Sequence, residues 1–343
     1  MSNLESFINN SPTILISRTD SVGDVVLTLP MAGVLKQLYP DSKVIFLGKT
    51  YTEPIVKCCS YIDKFLNWDT ISKCNLDKQL ELIKQENIDI FIHVFPSKEI
   101  ASLVKKARIP IRIGTSHRVY NWLYCNKRIK FSRKNSDLHE AQLNIKLIEC
   151  LGAKTYYNID ELNKNIGIIS NDIATPADGL IDINKFNLIL HPKSKGSARE
   201  WGEDNFNRLI SLLPEDKFNI FITGTKQEGD LIRESIIDRN KDRIHDMTGM
   251  FSLEEFISFI NKTNGLIAAS TGPLHIASVL GKHALGLYPP IRPMHPGRWK
   301  PIGKNTKVFC KEKECSQCRK ENKCECMQSI TPEEVAEYLN SIL

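Results

Sequence analysis

The sequence predicts an α/β fold made of two successive parallel-sheet domains, and three observations carry that reading. Short apolar runs of β character alternate with segments whose apolar residues recur at helical spacing. The alternation starts over near Asn187, after an irregular stretch. In the second half, Gly265 to Gly281 reads as a buried strand, a turn of small residues and a helix, the order found at the carboxyl end of a parallel strand.

In chain order, Thr13 to Ser17 is a short strand, apolar enough to lie centrally in a parallel sheet. Arg18 to Asp24 follows as a polar loop with one glycine, Gly23. From Val25 through Leu38 the residues Val25, Val26, Leu29, Val34, Leu35 and Leu38 predict one helix. Val44 to Gly48 is the next strand and completes a βαβ unit. The crevice of such a unit lies at the carboxyl ends of its strands, so Asp24, at the helix start, falls beside it. Ile88 to Val94 and Ile109 to Ile113 are further strands. His139 and Glu140 open a helix that runs to Leu151, with Gly152 as its stop. Tyr156 to Asp182 is less regular, carries the turn cluster Thr175-Pro176-Ala177-Asp178-Gly179, and is expected to link the halves.

The second half repeats the pattern. Asn187 to Pro192 is a strand, Lys193 to Arg199 a loop, Trp201 to Leu213 a helix and Phe218 to Gly224 a strand. A helix follows from Gln227, another spans Leu253 to Asn261, and Ala284 to Tyr288 is the last core strand. Thr331, with Glu334 three places on, starts a terminal helix as a capping box. The expected domains are 1–175 and 183–328, closed by a helix over 329–343.

Between the strand ending at Ala269 and the next helix lie Ser270, Thr271 and Gly272. Pro273 suits a first helical turn, and Leu274, Ala277, Ser278 and Gly281 give the helix a small face. Free N–H groups and the helix dipole point at whatever sits over the turn, with His275 in reach. The expected occupant is the pyrophosphate of a nucleotide-sugar. A plain corner with a Ser/Thr cap is the alternative.

Composition narrows the classes. The 343 residues suit two domains, and 41% hydrophobic with 25% charged residues describes a globular protein. No run approaches the length of a membrane span. Met1 to Ser6 has neither a basic n-region nor an apolar h-region, so a cytoplasmic location is expected. The net charge of +6 is mild. It fits anionic substrates or an anionic membrane face, and without a basic–aromatic stripe no nucleic-acid partner is expected. Ten cysteines are many, and five of them crowd between Cys310 and Cys326.

Taken together, Ser21 to Pro30, His139-Glu140, the His191-to-Trp201 loop and Ser270 to His275 resemble the ADP-heptose:lipopolysaccharide heptosyltransferases of glycosyltransferase family 9. The resemblance runs from about residue 13 to the end of the chain. It implies the GT-B fold, two Rossmann-like parallel-sheet domains facing each other across a cleft. The N-terminal one would bind the acceptor and the C-terminal one the donor nucleotide. It also implies inverting transfer of a heptose, or a related sugar, from ADP-heptose to a lipopolysaccharide inner-core or lipid A acceptor, at the cytoplasmic face of the inner membrane.

Carried over residue by residue, the resemblance makes Asp24 the catalytic base. The donor phosphates would meet Arg199 and the turn Ser270, Thr271 and Gly272, with His275 beside it, and the cations and hydroxyls of the loop itself add Lys193 and Ser194 to the donor side. Glu228 would hold the donor ribose, and Met250 or Phe251 the adenine. From the residues themselves, Arg18, Gly23, His139 and Glu140 are expected on the acceptor side, and Arg112, Arg118, Lys127 and Arg128 are basic residues near the predicted crevice that could meet acceptor phosphates. Ser270 departs from relatives that place an acid before the Thr-Gly pair, which leaves the nucleotide and sugar open.

Each assignment has a plainer reading beside it. Asp24 is also placed to cap a helix, with Asp20 as the competing carboxylate. Glu140 also suits a helix N-terminus, and Lys193 and Lys195 a solvated loop face, the preferred reading for Lys195. No Asp-x-Asp metal motif is present, so no catalytic cofactor is expected; cations and a helix dipole would offset the leaving charge. Cys315, Cys318, Cys324 and Cys326 supply enough thiolates for a structural zinc, with disulfides or free thiols as the other outcomes. A nucleotide-sugar 2-epimerase, a family 9 transferase for a different sugar, and a non-catalytic relative are the alternative functions.

Overall fold

Strand β1 (Thr13–Ser17) shows why the sheets form. Ile14, Leu15 and Ile16 are all fully buried, although consecutive side chains point to opposite faces. Only a strand covered on both sides has that pattern, and a parallel sheet between helices supplies it. The computed structural model describes residues 11–133, 135–170, 172–292, 294–311 and 325–343. The chain divides into two compact units, Met1–Ile169 and Ser170–Leu343.

Unit 1 carries β1, β2 (Lys43–Gly48), β3 (Lys64–Asn67), β4 (Ile90–His93), β5 (Ile111–Thr115) and β6 (Lys127–Ile129). They form one six-stranded sheet in the order β3-β2-β1-β4-β5-β6, every pair parallel. Ile14 of β1 is in register with Val44 on one side and Ile90 on the other. Unit 2 repeats this with β7 (Phe186–His191), β8 (Phe218–Ile222), β9 (Ile244–Asp246), β10 (Gly265–Ala269), β11 (His283–Leu287) and β12 (Thr306–Phe309). Its order is β12-β11-β10-β7-β8-β9, again all parallel, with Leu188 facing Ile220 and Gly265. Counted from its own first strand, each sheet has the doubly wound order 3-2-1-4-5-6. The direction of winding therefore reverses between β1 and β4, and again between β7 and β10. Loops leaving those strands stand at the place where such sheets bind ligands.

Apolar faces close the layers. In unit 1, Leu15, Ile45, Phe91 and Trp68 pack with Ile100 and Val104. In unit 2, Trp201 meets Phe206 edge-on at 5.0 Å and donates from Nε1 to the Ile330 carbonyl at 2.8 Å. That bond ties the loop after β7 to the C-terminal segment.

Several expectations need correction. The helix predicted over Val25 to Leu38 is two helices, Val22–Val26 and Leu29–Leu38, because Pro30 has no N–H to continue the ladder. The stretch expected to be irregular holds a helix, Ile159–Lys164, started by an Asn158–Glu161 capping box. Strands β3, β6, β9 and β12 have no counterpart in the sequence reading. All four are sheet edges of three or four residues, too short and too polar to show a period. Thr331 does cap the helix Pro332–Ser341, while the Glu334 carboxylate accepts from the Thr331 hydroxyl and from Lys311.

Candidate active site

In unit 1 the site grows from the end of β1. The Arg18 backbone N–H donates to the Leu47 carbonyl, which extends the strand pairing by one residue and points the side chain inward. Arg18 is 3% exposed, and each of its N–H directions meets an acceptor. Nε and Nη2 form a fork on Asp20 at 2.8 and 2.9 Å, and Nη2 also pairs with Asp24. Nη1 reaches Glu140 at 3.2 Å and Asn144 at 3.1 Å. Arg133 bonds the same two residues from the other side. Asn144 in turn donates to the Leu27 carbonyl at 3.0 Å and to the Thr28 hydroxyl at 3.1 Å, where the two helices join.

Burial alone would pull the Arg18 pKa down, but Asp24, Asp20 and Glu140 hold it above its ordinary value. Burial and the nearby Asp24 push the Asp20 carboxyl up, against the pull of Arg18. Asp24 sits in the first turn of the helix Val22–Val26, accepts from the Ser21 hydroxyl as well as Arg18, and keeps 19% of its side chain exposed. The result is a carboxylate fixed by a buried guanidinium, with an edge left for a ligand.

In unit 2 two loops leave the paired strands β7 and β10. The first, after His191, passes through left-handed backbone at Lys195 and Gly196, and no atom lies within 4 Å of where a Gly196 side chain would begin. Ser194 holds the loop by donating to the Ala198 carbonyl, and its N–H donates to Glu200. Lys193 pairs with Glu200 at 2.6 Å and Glu203 at 3.7 Å. His191 is buried against Thr223, and burial holds its pKa below the ordinary value although Glu228 pulls the other way.

The second loop is the small-residue turn. Thr271 occupies the N-cap position of the helix Gly272–Val279, yet its side chain makes no capping bond. Its Oγ1 is buried and has no partner among the described residues. A buried hydroxyl without a partner, at a helix N-terminus beside a topological switch point, is suited to an anionic ligand. Ser270 lies beside the Tyr288 hydroxyl, which donates to the Trp299 carbonyl at 2.7 Å.

The structure thus brings Arg18 and Asp24 together with Glu140, which is 122 residues from Arg18 in sequence. Gly23 lies buried in the same helix. Arg18, His139 and Glu140, expected on the acceptor, are each 3% exposed or less and form the frame behind Asp24. The His139 ring caps its helix by accepting from the Ala141 N–H, and Gln142 returns the bond. Lys193 is a paired cation, not a bare one. Glu228 forms a capping box with Thr225. Phe251 stacks on Phe259 at 4.8 Å, while Met250 is exposed. His275 is buried in the first turn of its helix. Arg112 turns back onto the Tyr124 and Ile109 carbonyls. Of the proposed zinc ligands, Cys315, Cys318 and Cys324 lie outside the described residues, and Cys326 packs at the edge of the unit 2 core. The sequence reading missed Asn144 and Arg133. The spacing of Glu140 and Asn144, one helical turn apart on one face, was the available signal for the first.

Comparison with known proteins adds a common thread. The profile of glycosyltransferase family 9 (heptosyltransferase) matches residues 77–328. The chain is 27% identical over 317 residues to a Haemophilus influenzae protein provisionally named a glycosyltransferase, covering 87% of this chain and 88% of that one. It is 24% identical over 295 residues to lipopolysaccharide core heptosyltransferase OpsX of the same organism, covering 82% and 80%. In three dimensions it is similar to Escherichia coli ADP-heptose lipopolysaccharide heptosyltransferase II, with TM-score 0.75, 16% identity and coverage of 96% and 98%. It is also similar to E. coli heptosyltransferase WaaC with ADP, with TM-score 0.72, 16% identity and coverage of 96% and 100%. At that identity the structural likeness speaks for the fold.

Proposed function

We propose a reaction from one premise: this chain belongs to glycosyltransferase family 9 and is a glycosyl-transfer enzyme whose two parallel sheets are those of the GT-B fold. We infer that it moves a heptose, with inversion, from ADP-heptose to a lipopolysaccharide core acceptor. The observation that carries the chemistry is the Asp24 carboxylate, oriented by Arg18 and Ser21 with an edge exposed. In the proposed step an acceptor hydroxyl attacks the anomeric carbon and gives its proton to Asp24. The bond from that carbon to the diphosphate breaks, and ADP leaves. General-base help of this kind is worth ~10²–10⁴ in rate.

The leaving charge falls to the turn Ser270-Thr271-Gly272, the N-terminus of the helix behind it, and Arg199. Arg199 is chosen because its planar fork matches phosphate geometry. This reading gives a divalent metal no catalytic part. The donor follows from relatives: an E. coli heptosyltransferase WaaC structure carries ADP-2-deoxy-2-fluoro heptose. The acceptor follows from OpsX, named as a lipopolysaccharide core enzyme. We place the reaction in the cytoplasm, at the inner membrane face. Among the described residues no helix is long and apolar enough to cross a membrane. A structural zinc on Cys315, Cys318, Cys324 and Cys326 is proposed from spacing alone, and metal analysis of reduced protein tests it.

The function is tested by incubating the enzyme with ADP- and UDP-sugars and truncated lipopolysaccharide cores, read by mass spectrometry. An acceptor heavier by one heptose, formed only with ADP-heptose, is expected. Conversion of donor without acceptor would favour an epimerase instead.

A further inference from the structure

The helix Val119–Tyr124 leaves an apolar face uncovered. Val119 is 84% exposed, Trp122 61% and Leu123 63%. Their spacing places the three on one side of the helix. No other helix among the described residues exposes three large apolar side chains. The face is held rigidly: the Trp122 indole donates to the Ser116 carbonyl at 3.0 Å, and Lys105 donates to the Leu123 carbonyl at 2.8 Å.

Cations surround it. The Arg128 guanidinium lies 4.5 Å from the Trp122 ring centre, and Lys105 lies 5.7 Å from that of Tyr124. Between Lys98 and Arg133 the chain carries ten Lys and Arg against Glu99 alone, a net +9. The whole chain has +6, so everything outside this segment is net −3. These charges form no basic–aromatic stripe along the sequence because they are spread over a helix, an edge strand and two loops. A cavity of about 400 Å³ adjoins the face, lined among others by Lys98, Lys106, Leu76, Leu103 and Tyr124. It pairs apolar walls with ammonium groups.

We propose that this surface docks on an anionic phospholipid bilayer. Aliphatic and indole groups enter the interface, and Lys105, Lys106, Arg118, Arg128 and Lys130 meet lipid phosphates. Exposed Val119 and Leu123 fit hydrocarbon and offer nothing to a nucleic acid. A second copy of the chain would bring the same +9 against this one. The helix follows β5 at its carboxyl end, two strands from β1, or about 10 Å across the sheet. Docking there turns the edge that carries Asp24 toward the membrane.

The test is co-sedimentation of the full chain with phosphatidylcholine vesicles, with and without phosphatidylglycerol, at low and high salt. Binding only to the anionic vesicles, released by salt, is expected. Trp122→Ser with Leu123→Ser, and separately Lys105→Glu with Arg128→Glu, should each weaken it at least ~10-fold. Val119→Ser, at the most exposed position of the helix, serves if a double variant melts early. In a Trp299→Phe background, which removes the half-buried fourth tryptophan, Trp122 should also shift its emission to the blue, since Trp68 and Trp201 are already buried. Absent binding, equal binding to neutral vesicles, or variants that bind like the parent overturn the proposal. So does a dimer that the apolar variants split without any vesicle binding. The vesicles contain no sugar acceptor, so this outcome is separable from the fate of the proposed reaction.

Discussion

Arg18 uses all five of its N–H bonds inside the protein, on Asp20, Asp24, Glu140 and Asn144. A surface loop has no need of so complete a cradle, whereas a carboxylate that must hold one orientation does. Asp24 itself was legible from its loop and its place after the first strand. Its supports were not, because Glu140 and Asn144 come from a helix that only the fold brings near. Thr271 is the complementary case in unit 2. Its hydroxyl has no partner among the described residues, so Thr271→Val should leave thermal stability within about 0.5 kcal/mol. Donor affinity, measured by calorimetry with a nucleotide-sugar, should fall about tenfold or more, the size of a lost bond to a charged group. Equal affinity in the two proteins would remove the hydroxyl from the donor site.

Elements were legible where they are central and opaque where they are edges. Strands β1, β2, β4, β7, β8, β10 and β11 announce themselves because both faces are buried and most of their residues are apolar. The edge strands, open on one side, are short and charged. The break at Leu27 and Thr28 was written in Pro30 but hidden by apolar residues that keep helical spacing across it. The helix Leu29–Leu38 illustrates how tightly elements meet: a Cβ on Gly33 would lie 2.2 Å from the Asn165 carbonyl oxygen. That atom is backbone and cannot rotate away. Gly33→Ala should therefore cost about 1–3 kcal/mol in urea unfolding, against the gain usual for alanine in a helix. A neutral or stabilising result would mean that the segment after the helix Ile159–Lys164 can shift.

On the scale of the molecule, two sheets of the same order each present loops at the reversal of winding: the loop after β1 carries the Asp24 carboxylate, and the turn after β10 carries the unpartnered Thr271 hydroxyl. That duplication was plain in the sequence, since the second half restarts the first. The charge pattern was not, because +6 overall conceals the +9 segment. Each unit also buries a histidine at the end of a central strand. Burial pushes the His93 pKa down to about 4, only partly offset by Asn121, and the Nε2 lone pair accepts from the Ser97 N–H. The unfolded chain takes up that proton near the ordinary value of 6.5, so the contribution is full above pH 6.5 and disappears as pH falls through 4. Stability should decline across that window by about 3 kcal/mol from this group. Urea midpoints between pH 7 and 4 check it: His93→Gln should flatten the slope, and an unchanged slope would assign it to carboxylates.

In the proposed reaction Asp24 takes the acceptor proton. Comparing the wild-type chain with Asp24→Asn, in single turnover on ADP-heptose and truncated lipopolysaccharide and in donor binding by calorimetry, tests it directly. Turnover should fall by ~10²–10⁴ with donor affinity unchanged. Near-normal turnover in Asp24→Asn would contradict it.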